Sequence, residues 1–191
     1  MRHLAQQKRG EYRLTTSDIS LSRVRHIYKQ EGITIDGCPG RLRKLKAAYF
    51  SDPDGCSILL NMKLPEEPRL FAMLHELKHH YLDQALLQCF CQEVYESSPI
   101  IEIGAEVFAA EFLFPEDEFR DFVAGCGFST TLSAEDVVYL KYHSPARISY
   151  QFLQKRLERL GLISRGQFSS VRFHVLHKQI YGSHHYRFRR S

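Results

Sequence analysis

Between Leu74 and His80 the chain reads LHELKHH, with His75 and His79 four residues apart and Glu76 directly after the first. On a helix that spacing projects both imidazoles from one face, so two ring nitrogens can meet a single ion. An ion held by two histidines and one carboxylate keeps a position for water, and an adjacent carboxylate such as Glu76 can take that water's proton. Histidines also line polar helix faces without binding anything, and the chain carries ten of them in 191 residues, so the pattern needs a third ligand. The segment SSPIIEIGAEVFAAEFLFPEDEF offers it: among the apolar Ile100, Ile101, Val107, Phe108, Phe112 and Leu113 stand Glu102, Glu106 and Glu111. Glu102 and Glu106 are also four apart, so one can bind the metal while the other accepts from the free N–H of a ligand histidine. Without the upstream histidines, the same glutamates would read as the wet side of an amphipathic helix.

Such side chains need two rigid helices beside a sheet. In EEPRLFAMLHELKHHYLD, Leu70, Met73, Leu74, Leu77 and Tyr81 recur at helical spacing, and the His-Glu pair borders that stripe. Pro68 suits a first helical turn, with acidic residues before it at the positive end of the helix dipole. Pro99 can open the second helix in the same way. Upstream, SDISLSRVRHIYKQEG predicts a helix starting near Ser17 or Asp18 and ending before Gly32. The strand candidates are ITID, then KAAYF and SILLNM as a hairpin around DPDG. GCGFSTTLS, at 125–133, marks a seam, after which LSAEDVVYLKYHSPARISYQFLQKRLERLGLI predicts two helices and a short turn. The expected architecture is α+β, with helices around a small, mainly antiparallel sheet and a C-terminal helical segment. Four stretches follow: a basic lead-in over 1–17, a core over 18–127, a helical subdomain over 128–165 and a basic tail over 166–191.

Composition narrows the class. At 43% hydrophobic and 25% charged the chain is of ordinary globular type, and no window approaches the apolar length of a membrane span. The start MRHLAQQKRGEY lacks the apolar centre of a signal peptide. Cys38, Cys56, Cys89, Cys91 and Cys126 are odd in number and match no zinc-ribbon spacing, which favours free thiols in a reducing compartment and a cytoplasmic location. Cys89 and Cys91 form a CxC pair, read as small buried hydrophobes over a soft-metal site. The net charge of +4 is concentrated in MRHLAQQKR and HHYRFRRS. Arg147, Lys155, Arg156 and Arg159 could pass for the basic face of a helix-turn-helix, but Leu153, Leu157 and Leu160 demand burial, so direct DNA binding is not expected. His80 is expected at the surface or behind a ligand, and Asp83, four after His79, can orient that ring or end the helix. His174, His177, His184 and His185 match no strong metal spacing.

Taken together, HELKHHYL and EIGAEVFAAEFLFP resemble the ImmA/IrrE family of bacterial metallopeptidases, whose patterns are HELGHxxL and ExEANxFAaxLLmP. Agreement at Ala105, Phe108, Ala109, Ala110, Leu113 and Pro115 is more specific than the histidine motif alone, and ILLNMKLP and HSPARISYQFLQKRLERLGLIS extend the likeness over roughly residues 18 to 165. The resemblance implies a zincin-like fold of gluzincin type. It makes His75, His79 and Glu102 the ligands of a zinc ion, with manganese also possible as the working ion, and Glu76 the general base. Glu106 falls where the family has Asn or Asp, which suits a carboxylate behind a ligand. Tyr142 or His143 in YLKYHSP is the nearest candidate for a donor to the oxyanion. Lys78 stands at the usual glycine of HELGH, and Gly104 at a frequent glutamate; neither change removes a ligand or the base. The implied activity is cleavage of a protein substrate, a DNA-binding repressor of the Xre helix-turn-helix type, relieving repression of stress-response or mobile-element genes in a bacterium or phage. The rival expectation is a non-catalytic, metal-containing module that binds a repressor or antitoxin, although a structural zinc site would be closed by four protein ligands and three are found.

Overall fold

The computed structural model describes residues 1–39, 45–85, 98–128 and 131–182. Cys89, Cys91, His184 and His185 lie outside the described residues. The chain divides into two compact units, Met1–Glu118 with Pro145–Arg147, and Phe119–Ser144 with Ile148–Ser191. Among the described residues, no helix is long and apolar enough to cross a membrane.

The first unit is α+β. Its opening helix α1 (Arg2–Glu11) falls where the sequence predicts no element, and it packs along the later helix that carries Glu102. Arg9 explains why so polar a stretch docks. Its buried guanidinium donates to the Phe112 carbonyl at 2.7 Å, to Thr16 Oγ1 at 3.1 Å and to Glu118 Oε1 at 3.0 Å. A planar fork with fixed donors can satisfy partners from three segments at once. Thr15 and Asp18 then close a short 3-10 turn, where Asp18 Oδ2 accepts from the Thr15 N–H at 2.8 Å and from its hydroxyl at 2.6 Å. Because Asp18 is used there, α2 (Leu21–Gln30) starts later than predicted, with Ser20 accepting from the Arg23 N–H at 3.3 Å. It buries Leu21, Val24, Ile27 and Tyr28 and stops before Gly32, whose φ of +70° is a conformation glycine adopts without strain.

Strand β1 (Ile33–Cys38) follows, then β2 (Ala47–Asp52) and β3 (Gly55–Asn61). The hairpin around DPDG forms as predicted: β2 and β3 pair antiparallel, and Asp52 Oδ1 accepts from the N–H groups of Asp54 and Gly55 at 2.9 and 3.1 Å. Strand order is β1-β3-β2, and β1 runs parallel to β3, so this small sheet has one antiparallel and one parallel pairing. Tyr49, Ile58 and Leu60 are buried, and α3 (Glu66–Lys78) packs on β2 and β3. Glu66 and Glu67 occupy its first turn, as the dipole argument requires. Tyr28 of α2 also holds it, donating to the Met73 carbonyl at 2.6 Å. Past Lys78 the helix widens into a π-helical turn over His79–Asp83. Helix α4 (Pro99–Leu113), with Pro99 at its first position, packs against α3 and buries Ala105, Phe108, Ala109, Phe112 and Leu113. Ile100, expected on that apolar surface, is instead exposed.

Helix α5 (Glu116–Gly125) leads into the second unit, which is helical among the described residues. Helix α6 (Ala134–His143) begins with a reciprocal cap between Ser133 and Asp136, and α7 (Tyr150–Arg159) begins at Ser149, which accepts from the Phe152 N–H at 3.1 Å. Leu153 and Leu157 are buried, as their spacing demands, whereas Leu160, expected to be buried with them, caps the end of the helix and is half-buried. Arg156 is buried too, its guanidinium 5.9 Å from the Phe119 ring centre and 5.5 Å from that of Phe152. Helix α8 (Phe173–Tyr181) stacks Phe173 on Tyr150 with ring centres 4.8 Å apart. His177 is buried there and shares a hydrogen bond of 2.6 Å with the Tyr150 hydroxyl.

Candidate metal centre

Helix α3 and the π-helical turn that continues it bring His75 and His79 together, with ring centres 5.0 Å apart, and α4 brings Glu102 up to both. Glu102 Oε2 lies 3.1 Å from His75 Nε2, and Oε1 lies 3.5 Å from His79 Nε2. One ligand atom from each of the three lies within 4.8 Å of the others. Tetrahedral zinc with bonds of about 2.0–2.1 Å would space its ligands about 3.3 Å apart, so three donors converge at the scale such an ion needs. The donor set, two imidazoles and a carboxylate, is also one that zinc, manganese and iron accept. The residues fit a divalent ion.

His79 is held more firmly than His75. Its Nδ1 meets Asp83 Oδ2 at 2.7 Å, which leaves Nε2 to face Glu102. This carboxylate-imidazole pair fixes the tautomer in which Nδ1 is the donor and Nε2 carries the lone pair for a metal. Burial lowers the pKa of His79, opposed by the hydrogen bond with Asp83, so burial favours the neutral, ligating form. Glu102, half-exposed, is held below the usual carboxylate range, first by its hydrogen bond with His75. Glu76 is buried, and desolvation raises its pKa to about 7, with the charge of Glu102 adding to the rise and His75 opposing it. A carboxylate poised near neutrality can both accept and return a proton.

The other sequence candidates fall as follows. Glu106 is exposed one turn beyond Glu102 on α4, and the carboxylate on His79 Nδ1 is Asp83. The signal for Asp83 was its position four residues after His79, shared with many helix-ending aspartates. His80 is half-buried, sharing a hydrogen bond of 3.0 Å with the Tyr49 hydroxyl and lying 3.6 Å from Glu31. Tyr142 and His143 belong to the second unit, where Tyr142 stacks on Tyr181 with ring centres 3.9 Å apart and His143 packs on Tyr139 at 4.1 Å. Of the basic residues considered for DNA reading, Arg156 is buried and Arg147 pairs with Glu66 at 2.5 Å.

Lys78 was not foreseen as part of this arrangement. It is buried, and its ammonium donates to Asp83 Oδ2 at 2.5 Å and to the Ile101 carbonyl at 3.1 Å. Gly104 lies beside it: a Cβ there would stand 3.4 Å from Lys78 Cε, in van der Waals contact with the lysine stem.

Residues 29–158 match the family model of peptidase M78, the IrrE N-terminal-like domain. No curated protein matches the chain closely enough to serve as a relative.

Proposed function

The chain belongs to the M78 peptidase family, the match covering more than half of its length, and from that membership we propose that it is a zinc-dependent endopeptidase that cleaves a helix-turn-helix repressor of the Xre type. The observation that carries the catalytic reading is the meeting of His75 Nε2 and His79 Nε2 with the Glu102 carboxylate, beside the buried Glu76. In this reading His75, His79 and Glu102 hold the ion. A bound zinc would act as a Lewis acid towards the scissile carbonyl and bring the pKa of water towards neutrality.

The chain's own residues supply the remaining steps. Glu76 takes a proton from the attacking water and returns it to the leaving amine, and its elevated pKa suits both directions. Asp83 keeps His79 in the ligating tautomer. Tyr142 or His143 is proposed as a donor to the oxyanion only because gluzincins often supply a Tyr or His for it and these are the nearest candidates along the sequence. The repressor substrate and the release of stress-response or mobile-element genes rest on the family resemblance, and the cytoplasmic setting on the cysteine pattern and composition.

The test is to incubate the candidate repressor with this protein plus zinc or manganese. One pair of new fragments, from a single cut, is expected, lost with a chelator and with Glu76→Gln, while that variant still binds one equivalent of metal. A repressor that is bound tightly but left intact with every metal tried, and bound equally by Glu76→Gln, would replace proteolysis with the interaction-module reading.

A further inference from the structure

Asp83 Oδ2 is shared. The His79 imidazole reaches it at 2.7 Å and the Lys78 ammonium at 2.5 Å, and all three side chains are buried. The π-helical turn over His79–Asp83 makes this possible, because a widened helix brings residues five apart into line, and Lys78 and Asp83 are five apart. A carboxylate behind a ligand histidine strengthens that ligand by balancing the positive charge placed on the ring. Here the same oxygen already faces a full positive charge. The cation therefore offsets the anion that would otherwise favour metal binding, and like charges in a poorly solvated site repel. Lys78 also donates to the Ile101 carbonyl, one residue before Glu102, so its ammonium touches both segments that carry proposed ligands.

Resting on the metal-site reading above, we propose that Lys78 is an affinity-setting residue: its buried ammonium balances Asp83 and weakens the hold of the His75–His79–Glu102 site on its ion. The consequence is a metal that exchanges with its surroundings more readily than the ligand set alone would allow, so that activity follows metal supply. Without Lys78, Asp83 would be a buried anion lacking its cation, a state that costs stability and that a bound divalent ion relieves. Removing the lysine should thus weaken the metal-free protein and tighten the metal complex. A lysine that merely props the helices apart would produce the first effect alone.

The experiment compares the full chain with Lys78→Met, Lys78→Arg and Asp83→Asn. Zinc affinity is read by competition with a colorimetric chelator, and melting temperature is read with and without zinc. Lys78→Met is expected to melt lower than wild type without metal, to bind one zinc about tenfold more tightly, and to gain more in melting temperature from zinc. Lys78→Arg keeps the charge and should stay near wild type; Asp83→Asn should bind at least about tenfold more weakly. Lys78→Met affinity equal to or below that of wild type, with one zinc still bound, overturns this inference and leaves the metal site standing. Wild type that binds no metal overturns the site itself. If Lys78→Met does not fold, Lys78→Gln, which keeps a donor for the Ile101 carbonyl but no charge, is held to the same two outcomes.

Discussion

Glu76→Gln removes a charge that burial opposes, and its effect on the metal-free protein follows from the geometry of the site. The Glu76 carboxyl has a pKa of about 7 in the fold against 4.5 for a solvated glutamate, chiefly through desolvation. The folded state thus holds its proton to higher pH than the unfolded state does. Whatever stability this carboxyl contributes is complete below pH 4.5 and is lost as pH rises through 7. At 1.36 kcal/mol per pH unit, the loss reaches about 3 kcal/mol by pH 8 and is below about 1 kcal/mol at pH 5. Glutamine fills nearly the same volume without ionising. In urea unfolding with chelator present, Glu76→Gln should gain on wild type by about 2 kcal/mol more at pH 8 than at pH 5. Saturating zinc should shrink that gain, because a cation beside Glu76 favours the carboxylate. A difference between the two proteins that does not vary with pH would refute the claim that Glu76 is a strained buried acid.

Three further outcomes test the remaining contacts. Glu102→Ala should lower zinc affinity by more than about 100-fold while Glu106→Ala changes it less than threefold or so, read by the same chelator competition; the reverse order would move the third ligand one turn along α4. Arg9→Met should cost about 2–4 kcal/mol in urea unfolding, because the buried Phe112 carbonyl and Thr16 lose a charged donor. Ser133→Ala should cost about 1 kcal/mol by removing the cap of α6, with zinc affinity unchanged.

What the sequence made legible was local. The histidine pair, the proline that opens α4, the DPDG hairpin and the burial of Leu153 and Leu157 each depend on neighbours a few residues away, and each appears where its pattern predicts. Contacts between distant segments were not legible in that way. Arg9 reads as part of a basic lead-in, yet its guanidinium is fixed by Phe112, 103 positions on, and by Glu118. Periodicity carries no information about such a partner, and a buried arginine has the same letter as a solvated one. The parallel pairing of β1 with β3 is hidden for a related reason, since alternation marks a strand without saying which neighbour it takes. The late start of α2 turned on a competition between two local caps, in which Asp18 closed its own turn and Ser20 was left to begin the helix.

Lys78 and Gly104 show what spatial proximity adds to two separate departures from a family pattern. Along the sequence each reads as a loss, one of a close-packing glycine and the other of a glutamate. In the fold they are neighbours: a Cβ at position 104 would touch the lysine stem at 3.4 Å, and the ammonium reaches onward to Asp83 and the Ile101 carbonyl. A buried lysine needs both a path for its four-carbon stem and an anion at its end, because an unpaired ammonium in that position would be expelled or neutralised. Gly104 borders that path and Asp83 supplies the anion, so a larger side chain at 104 would lie along the lysine rather than apart from it. On that logic, Gly104→Glu in this chain would not restore the family pattern. It would bring a second carboxylate beside a lysine already paired with Asp83, and compete with the oxygen that His79 shares for the ammonium.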